Sequence, residues 1–291
     1  MTQSQTFNFE NFHKGFQPFH SITASSALLK QCLSDDFLTW LIGFTEGDGS
    51  FMVTNRNDLQ FVITQSTEDQ YVLDWIQRTL GFGKVIAQGK RTSRFIVQDL
   101  KGIFYILLLF NGNLVLPTRK KKFLQFLDGF NQKVASRKAD YAKIEPIHSS
   151  ILPSLDTGWL AGFTDAEGCF TASFLAKPAN NKAFRLRYIV SQKGDANLPV
   201  LSHLILLFQS GSIEAHSIKS NYSYILSGEK NCYKIYSYFG RFPLKTKKQK
   251  SFDLWKQIHS KITQKEHLDV GLRQECIQLA KQVNRVRRKS L

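Results

Sequence analysis

Residues 40–49 read WLIGFTEGDG and residues 159–168 read WLAGFTDAEG. Each stretch carries apolar residues at helical spacing and ends on two carboxylates and a glycine, which predicts a helix that stops at the acids. The apolar pattern of the first stretch extends back to position 36, with Asp35 as the expected N-cap, and Asp156 has the same place before the second stretch. Because so specific a stretch occurs twice, we expect two copies of one structural unit.

The repeat continues downstream of the two stretches. VLDWIQRTLGFGKV, starting at Val72, matches VLSHLILLFQSGSI, starting at Val200, 128 positions later. The same offset joins Gly83 to Gly211, Thr118 to Thr246 and Lys120 to Lys248, whereas Gln65 and Gln192 are 127 positions apart and Gly49 and Gly168 are 119 apart. The second copy therefore holds about eight extra residues, which we place in a longer hairpin loop at AKPANNKAF, residues 176–184.

Hydrophobic periodicity changes in a fixed order along each copy. The first copy predicts alternating strands at SFMVTNR (50–56) and DLQFVITQ (58–65), a helix at 68–80, a hairpin over 83–98, and helices at 101–110 and after Pro117. The predicted fold class is α+β, with two pseudo-symmetric αββαββα halves, each with a concave antiparallel sheet that has one uncovered face. The predicted boundaries are an N-terminal extension at 1–34, a first half at 35–135, a linker at 136–155 and a second half at 156–291.

Charge and composition narrow the class of protein. With 39 Lys+Arg against 23 Asp+Glu, the formal charge is +16, which favours a polyanionic partner, most simply nucleic acid, over a generically basic protein. The cysteines, at positions 32, 169, 232 and 276, are too far apart for a zinc module and argue against a disulfide framework. The longest apolar run, IFYILLLF at 103–110, is too short for a membrane span and predicts a buried helix. Residues 1–34 show no signal- or transit-peptide pattern, and we interpret them as an appended arm or the remnant of a fused upstream reading frame.

The uncovered sheet faces are rich in long polar side chains. In the strand FRLRYIVSQ (184–192), the residues at 186, 188 and 190 point one way and the arginines at 185 and 187 the other. A two-stranded ribbon fits the major groove of B-DNA, where arginine reads guanine through two hydrogen bonds. For any single position, an ordinary solvated strand residue is the competing interpretation. The predicted DNA contacts are Met52, Thr54, Arg56, Gln60, Thr64, Lys84, Gln88, Arg94, Thr171, Ser173, Lys177, Arg185, Arg187, Ser191, His216 and Ser223, and we rank Arg56, Arg94, Arg185 and Arg187 highest.

Acids at the end of a helix break a local rule, because a helix C-terminus carries partial negative charge and favours cations. A divalent cation bound there would repair the electrostatics, and Mg²⁺ binds one or two carboxylates together with substrate phosphate. Gly43 and Gly162 lie one turn before the acids and weaken the helices unless another backbone must come close. We therefore expect the two helices to pack side by side with their acidic ends together. The competing interpretation, a pair of solvated acids followed by glycine caps, is less probable in two near-identical copies.

LIGFTEGDG at 41–49 and LAGFTDAEG at 160–168 resemble the LAGLIDADG motif of homing endonucleases, in the single-chain form with two motifs. The order of strands and helices is also similar, so the resemblance covers about residues 35–291. The metal ligands that it implies are the carboxylates of Asp48 and Glu167 and the backbone carbonyls of Gly47 and Ala166, whereas Glu46 and Asp165 are implied to be structural. The other implied catalytic residues are Gln65 and Gln192, beside the hydrolytic water, and Lys120 and Lys248, which offset charge, with Lys122 and Lys247 as rivals. At the family's second basic position this chain has Asp69 and Ala196.

The resemblance implies a site-specific double-strand DNA endonuclease of the intron-encoded homing type. It would hydrolyse phosphodiesters with Mg²⁺, with two or three divalent ions shared between the half-sites, at a long asymmetric target, and leave 3′ overhangs. The expected state is a monomer bound to double-stranded DNA, without a membrane, inside a mitochondrion or chloroplast. The alternatives are a maturase that splices its host intron RNA and a DNA-binding protein of this fold that does not cut. The presence of both acids favours the nuclease over the pure binder, but a maturase can retain both.

Overall fold

The computed structural model describes residues 6–16, 33–137, 141–174 and 183–283. The chain forms two compact units, Met1–Ala166 and Glu167–Leu291, so the boundary lies within the second motif. Each unit holds one four-stranded antiparallel sheet covered by helices, with the same strand order in both. The α+β class with two pseudo-symmetric halves is therefore confirmed.

The first unit follows the predicted order of helices and strands. Its elements are α1 (Glu10–Gly15), α2 (Asp35–Asp48), β1 (Gly49–Val53), β2 (Leu59–Ser66), a 3₁₀ turn (Thr67–Asp69), α3 (Gln70–Leu80), β3 (Lys84–Gln88), β4 (Thr92–Val97), α4 (Leu100–Phe110), α5 (Pro117–Arg137) and most of α6 (Trp159–Glu167). The sheet order is β1-β2-β4-β3. Aromatic and aliphatic side chains of one sheet face are buried beneath the helices, among them Phe61 and Phe95, which are fully buried.

Two local predictions in the first unit were wrong. Ser34, and not Asp35, caps α2, because the Ser34 hydroxyl accepts a hydrogen bond from the backbone of Phe37 at 3.3 Å. β1 ends at Val53, so the predicted contacts Thr54 and Arg56 lie in the following turn and not on the strand.

The cause of the early strand end is a turn over residues 54–58. The Thr54 hydroxyl accepts a hydrogen bond from the backbone of Asp58 at 3.0 Å, and Asn57 takes a left-handed conformation with φ of 58°. Asparagine tolerates that conformation better than most residues, which favours a turn at this position. In the second copy, α6 begins at Trp159, three residues beyond the predicted cap Asp156.

The apolar run at 103–110 is a buried helix, as predicted. It forms most of α4, in which Ile103, Ile106 and Phe110 are fully buried. Among the described residues, none of the helices combines the length and apolar character that crossing a membrane requires.

The N-terminal segment packs onto the first unit. Phe12 of α1 is fully buried, and the ring of Phe16 is tilted against that of Tyr105 on α4, with the ring centroids 4.9 Å apart. The Asn113 side chain accepts a hydrogen bond from the Asn8 backbone at 2.8 Å and donates one to the Asn8 carbonyl at 2.7 Å. Residues 6–16 are therefore attached to this unit through the buried side chains of Phe9 and Phe12 and the hydrogen bonds of Asn8.

The second unit repeats the first. Its elements, after the end of α6, are β5 (Gly168–Phe174), β6 (Phe184–Lys193), a 3₁₀ turn (Asp195–Asn197), α7 (Leu198–Phe208), β7 (Ser212–Ala215), β8 (Asn221–Ser227), α8 (Glu229–Cys232), a 3₁₀ turn (Tyr233–Ile235), α9 (Tyr236–Arg241), α10 (Lys248–Thr263), a 3₁₀ turn (Glu266–Leu268) and α11 (Val270–Ala280). The sheet order is β5-β6-β8-β7. Most of the extra loop predicted at 176–184 falls on residues 175–182, outside the described part of the chain.

The aromatic cores of the two units correspond contact by contact. In the first, the ring centroid of Phe51 lies within 5.5 Å of those of four rings, and in the second, the ring centroid of Phe170 lies within 6.0 Å of those of four rings. The corresponding pairs of neighbours are Phe61 with Tyr188, Phe110 with Phe239, Phe123 with Phe252, and Phe126 with Trp255. From β4 onward the structural offset is therefore 129, one more than the sequence comparison indicated, because the second β-hairpin is one residue longer.

Candidate functional site

The two motif helices touch backbone to backbone within the first unit. A Cβ added to Gly43 of α2 would overlap the carbonyl oxygen of Trp159 and lie 2.9 Å from the backbone nitrogen of Phe163. A Cβ added to Gly162 of α6 would overlap the carbonyl of Trp40 and lie 2.8 Å from the nitrogen of Phe44. The contact is reciprocal, so the expectation that these glycines allow close approach is confirmed.

The first acid of each motif faces this helix contact. The Trp159 indole donates a hydrogen bond to Glu46 at 2.6 Å, and the Trp40 indole donates one to Asp165 at 2.9 Å. Both carboxyl groups are buried, with Glu46 fully inaccessible and Asp165 2% exposed. These acids therefore join the two helices, and they do not lie at a solvated helix end.

Glu46 also binds the backbone of the segment before α5 to the end of α2. Its Oε1 accepts hydrogen bonds from the backbone nitrogens of Val115 at 2.9 Å and Leu116 at 2.6 Å. Burial raises the pKa of Glu46 to about 7, although these donors, the Trp159 indole and the nearby charge of Lys120 all oppose the shift. The folded state therefore binds a proton at Glu46 that the unfolded state releases at lower pH.

This raised pKa predicts a pH-dependent stability. Between about pH 4.5 and 7, the folded protein holds more protons than the unfolded chain at Glu46, so stability falls as pH rises, by about 3 kcal/mol in total. In Glu46→Gln we expect this decline to disappear, so the advantage of the wild type is larger at pH 5 than at pH 8. Urea unfolding across that range measures it.

The variant Trp159→Phe gives a matched comparison. Removing the indole donor raises the pKa of Glu46 further, so the decline extends to higher pH. Parallel stability curves for the wild type and Glu46→Gln would contradict the assignment.

The second acid of the first motif, Asp48, contacts one of the predicted catalytic residues. Gln65, near the end of β2, donates a hydrogen bond from its side-chain amide to Asp48 Oδ2. Both side chains are half-buried, and Gln65 lies near the end of an interior strand of the sheet. In the second unit, Glu167 is the last residue of α6, and Gln192 lies near the end of β6, opposite Tyr222 of β8; both are half-buried.

Arg119 of α5, a residue that the sequence analysis did not select, covers the end of α2. Its guanidinium donates to the carbonyls of Glu46 at 2.6 Å, Gly47 at 2.6 Å and Gly49 at 3.0 Å. Carbonyls in the last turn of a helix have no partner within the helix, and a cation there is favourable. A side chain therefore supplies part of the compensation that the sequence analysis assigned to a metal ion.

Of the two predicted catalytic lysines, Lys120 lies near the buried carboxyl group of Glu46 in the first unit, and Lys248 lies in the second unit. Lys120 is half-buried, and its Nζ donates to the carbonyl of Ser149 at 2.9 Å. Burial lowers the pKa of Lys120, and the charge of Glu46 partly opposes the shift. Lys248, the first residue of α10, is half-buried.

The residues at the end of α2 fit Mg²⁺ held jointly with a phosphate. Asp48 offers a half-buried carboxylate, and the Gly47 carbonyl oxygen, which already accepts a hydrogen bond from Arg119 at 2.6 Å, has a second lone pair; both are hard oxygen donors. Within the described ranges, no group of three or more His, Cys, Asp and Glu side chains could enclose a metal ion. Mg²⁺ commonly binds one or two carboxylates and completes its coordination with water and substrate phosphates, so this donor set suits it.

Strand register places those predicted DNA contacts that lie on strands on one face of each sheet. In the first sheet, Met52 is opposite Gln60 and Arg94 is opposite Thr64, and the side chains at 84 and 88 share that face. In the second sheet, the register-paired residues are Thr171 with Arg187, Ser173 with Arg185, and Ser191 with Ser223. His216 immediately follows β7, and Lys177 lies outside the described residues.

Two arginines on these faces have a buried donor that is not satisfied. Among the described residues, Nε of Arg94 and Nε of Arg187 are shielded from solvent and have no hydrogen-bond partner. An unpaired buried donor costs free energy, and such groups call for an explanation, for example an acceptor that is not part of the chain.

At the register position of Arg94, the second unit has a different arrangement. Ser223 Oγ lies 2.6 Å from Ser191 Oγ and 2.6 Å from His216 Nε2, so three predicted contacts form one hydrogen-bonded chain. Ser223 therefore bonds the imidazole directly and is itself bonded by Ser191, whereas the first unit has a long guanidinium at this place.

The comparisons with known proteins agree with this geometry. The family model for LAGLIDADG endonucleases matches residues 41–130 and 160–259, which include both motifs and both sheets. The crystal structure of the meganuclease I-SmaMI bound to uncleaveable DNA has a similar fold, with a TM-score of 0.73 at 20% sequence identity, covering 87% of this chain and 100% of that one.

Curated relatives are intron-encoded proteins. The chain is 38% identical over 259 residues to probable intron-encoded endonuclease 4 of Neurospora crassa, covering 85% of this chain and 44% of that protein. It is 28% identical over 141 residues to the intron-encoded RNA maturase bI4 of Saccharomyces cerevisiae, covering 48% of this chain and 20% of that protein. The chain thus spans less than half the length of these relatives. With both motifs, both sheets and most of its length matched, the chain belongs to the LAGLIDADG endonuclease family.

Proposed function

We propose that this chain is a site-specific DNA endonuclease of the homing type that cuts both strands of a long asymmetric target and leaves 3′ overhangs. The observation that carries this proposal is the contact between Gln65 and Asp48 at the end of the first motif helix. It brings a carboxylate and an amide together near the end of β2, on a chain with a net charge of +16. Family membership and the intron-encoded relatives support it.

Asp48 and Glu167 are the residues that would hold Mg²⁺, with the carbonyls of Gly47 and Ala166 as further ligands, for two or three ions in all. A metal ion held there would supply polarisation of the scissile phosphate and activation of a water molecule for attack. Gln65 and Gln192 orient the carboxylate and the attacking water through their amide groups. Lysines of the basic segments, Lys120 and Lys248, offset negative charge that develops on the phosphate. One acid for each strand then accounts for a double-strand break.

The sheet faces are the proposed DNA interface. Phosphate contacts by the many lysines and arginines provide affinity, and side chains on the strands read base edges in the major groove. Because the first unit has Arg94 where the second has Ser223 with Ser191 and His216, the two half-sites should be read differently. The target is therefore expected to be asymmetric.

Arg94 allows a direct test of base readout. We expect Arg94→Ala to weaken the preference for guanine at one position of the first half-site by about 1–3 kcal/mol, because a bidentate contact is lost. Arg91→Ala, in the exposed hairpin beside it, is the matched control and should weaken binding about equally on all sequences. Binding of a randomised DNA library distinguishes the two. An unchanged base preference in Arg94→Ala would show that Arg94 does not read a base.

Cleavage itself tests the proposed function. The protein is incubated with Mg²⁺ and DNA that spans the uninterrupted exon junction of its intron, and a scrambled duplex serves as control. We expect a double-strand break on the junction DNA alone, and chelation with EDTA should abolish it. Tight binding without any cut would instead identify a DNA-binding protein.

A second candidate function is assistance in splicing the host intron RNA. The similarity to the RNA maturase bI4 favours it, and both acids can be retained in such a protein. Weak cutting together with stimulated splicing of the intron RNA in vitro would favour this function. We further propose that the chain acts as a monomer in an organelle. Its two functional halves are proposed as residues 35–135 and 156–291, joined by a linker at 136–155 after an extension at 1–34.

A further inference from the structure

Two alignments of the basic segments are possible, and the aromatic cores favour one of them. The sequence offset of 128 pairs Lys120 with Lys248. In the structure, Phe123 and Phe252 are equivalent, because each contacts the central phenylalanine of its own core at 5.3 and 5.1 Å, respectively. Arg119 and Lys248 each lie four residues before these phenylalanines, on the same helix face, whereas Lys120 lies three before.

We propose that Arg119 is the first-half counterpart of Lys248 and a positioning residue that fixes the peptide preceding Asp48. This proposal deepens the proposed function and rests on it.

Arg119 makes three hydrogen bonds to the backbone around Asp48. A planar guanidinium presents donors in several directions, so Nε, Nη1 and Nη2 reach three different carbonyls at 2.6, 3.0 and 2.6 Å. These carbonyls belong to residues on both sides of Asp48. The backbone that carries the metal-binding carboxylate is therefore attached to α5 immediately before and after that residue.

The attachment is reciprocal. While Arg119 of α5 holds the end of α2, the Glu46 carboxylate of α2 accepts two backbone hydrogen bonds from the residues just before α5, at 2.9 and 2.6 Å. Two elements joined in both directions have little freedom to slide. The position of Asp48 relative to α5 is consequently set before any DNA is bound.

Lys120 is placed differently. Its ammonium donates to the carbonyl of Ser149, in the segment that follows α5, and not to the end of α2. Because a lysine ammonium is a single point charge on a flexible stem, Lys248 cannot reproduce the arginine geometry in the second unit. The two strand cuts should therefore differ in their dependence on this position.

The test compares Arg119→Met, Arg119→Lys and Lys120→Met, with the exposed neighbour Lys121→Met as matched control. Without DNA, amide hydrogen exchange of residues 46–50 is measured. We expect about tenfold faster exchange in Arg119→Met, since charge-assisted hydrogen bonds are lost, an intermediate rate in Arg119→Lys and no change in Lys121→Met.

With DNA, single-turnover nicking of each labelled strand is measured. The DNA strand whose cleavage is slowed most by Asp48→Asn is the strand cut by the first half. Arg119→Met should slow that strand about tenfold more than the other, with partial rescue in Arg119→Lys and unchanged DNA affinity.

Unchanged exchange, equal slowing of both strands, or strand bias in Lys120→Met without bias in Arg119→Met would each overturn the proposal. If the wild-type protein cuts no DNA, the proposed function fails, and the exchange measurement still decides whether Arg119 positions the helix end.

Discussion

Asp48→Asn should abolish cleavage of one DNA strand and leave DNA binding intact. The change keeps the size of the side chain and its contact with Gln65 but removes the negative charge that would hold Mg²⁺. Loss of a preorganised electrostatic stabiliser costs on the order of 10²–10³ in rate, and loss of a metal ligand should cost at least as much. Plasmid nicking with each strand labelled, together with binding in Ca²⁺, gives both readouts. Glu167→Gln should act in the same way on the opposite strand.

Asp36→Asn is the matched control, because it makes the same chemical change at the exposed other end of the same helix. Its cleavage rate should equal that of the wild type. Full double-strand cleavage by Asp48→Asn or Glu167→Gln would show that the metal site has been assigned to the wrong residues. Loss of binding together with cleavage would point to a structural defect and not to chemistry.

Gly43→Ala should destabilise the protein more than any surface substitution. The added methyl group would overlap the carbonyl oxygen of Trp159 and lie 2.9 Å from the nitrogen of Phe163, and backbone atoms cannot move aside as a flexible side chain can. Separating the helices would also strain the buried bonds from the two indoles to Glu46 and Asp165. We expect a loss of more than about 4 kcal/mol, the range of severe overpacking combined with a broken buried network. Urea unfolding measures it.

Gly240→Ala provides the comparison. Gly240 also lies in a helix, and a Cβ added there would meet no atom within 4 Å, so this substitution should be neutral or slightly stabilising. Gly162→Ala should match Gly43→Ala, because its Cβ meets the equivalent backbone atoms. Similar stabilities for Gly43→Ala and Gly240→Ala would mean that the helix contact can relax without cost.

Much of the fold could be predicted from the sequence because the sequence contains two copies of the same structural unit. The repeated motif, the alternation of 184–192 and the apolar run at 103–110 each specify one element through periodicity, and the structure contains all three. Both copies also begin with tryptophan, at positions 40 and 159, and this signal could have predicted the reciprocal indole–carboxylate bonds.

Three other features could not be predicted from the spacing of residues along the chain, because they depend on three-dimensional geometry. The alignment of the two basic segments shifts by one residue because the hairpins differ in length by one residue. The sequence offset therefore pairs Lys120 with Lys248, whereas the aromatic cores pair Arg119 with Lys248. Arg119 stands among several cations in RKKK, and only the three-dimensional position of the α2 carbonyls singles it out. The alternating pattern predicted that β1 continues to residue 56. The strand ends at Val53 because the chain turns at residues 54–58.

The boundary between the compact units has a consequence for building chimaeras from different members of the family. Because α6 up to Ala166 packs into the first unit, a fusion point at the linker would pair one parent's Trp159 and Gly162 with another parent's Glu46 and Gly43. A fusion point after Ala166 keeps both motif helices from a single parent, and the sheet that is proposed to read the second half-site can then be exchanged without redesigning their contact.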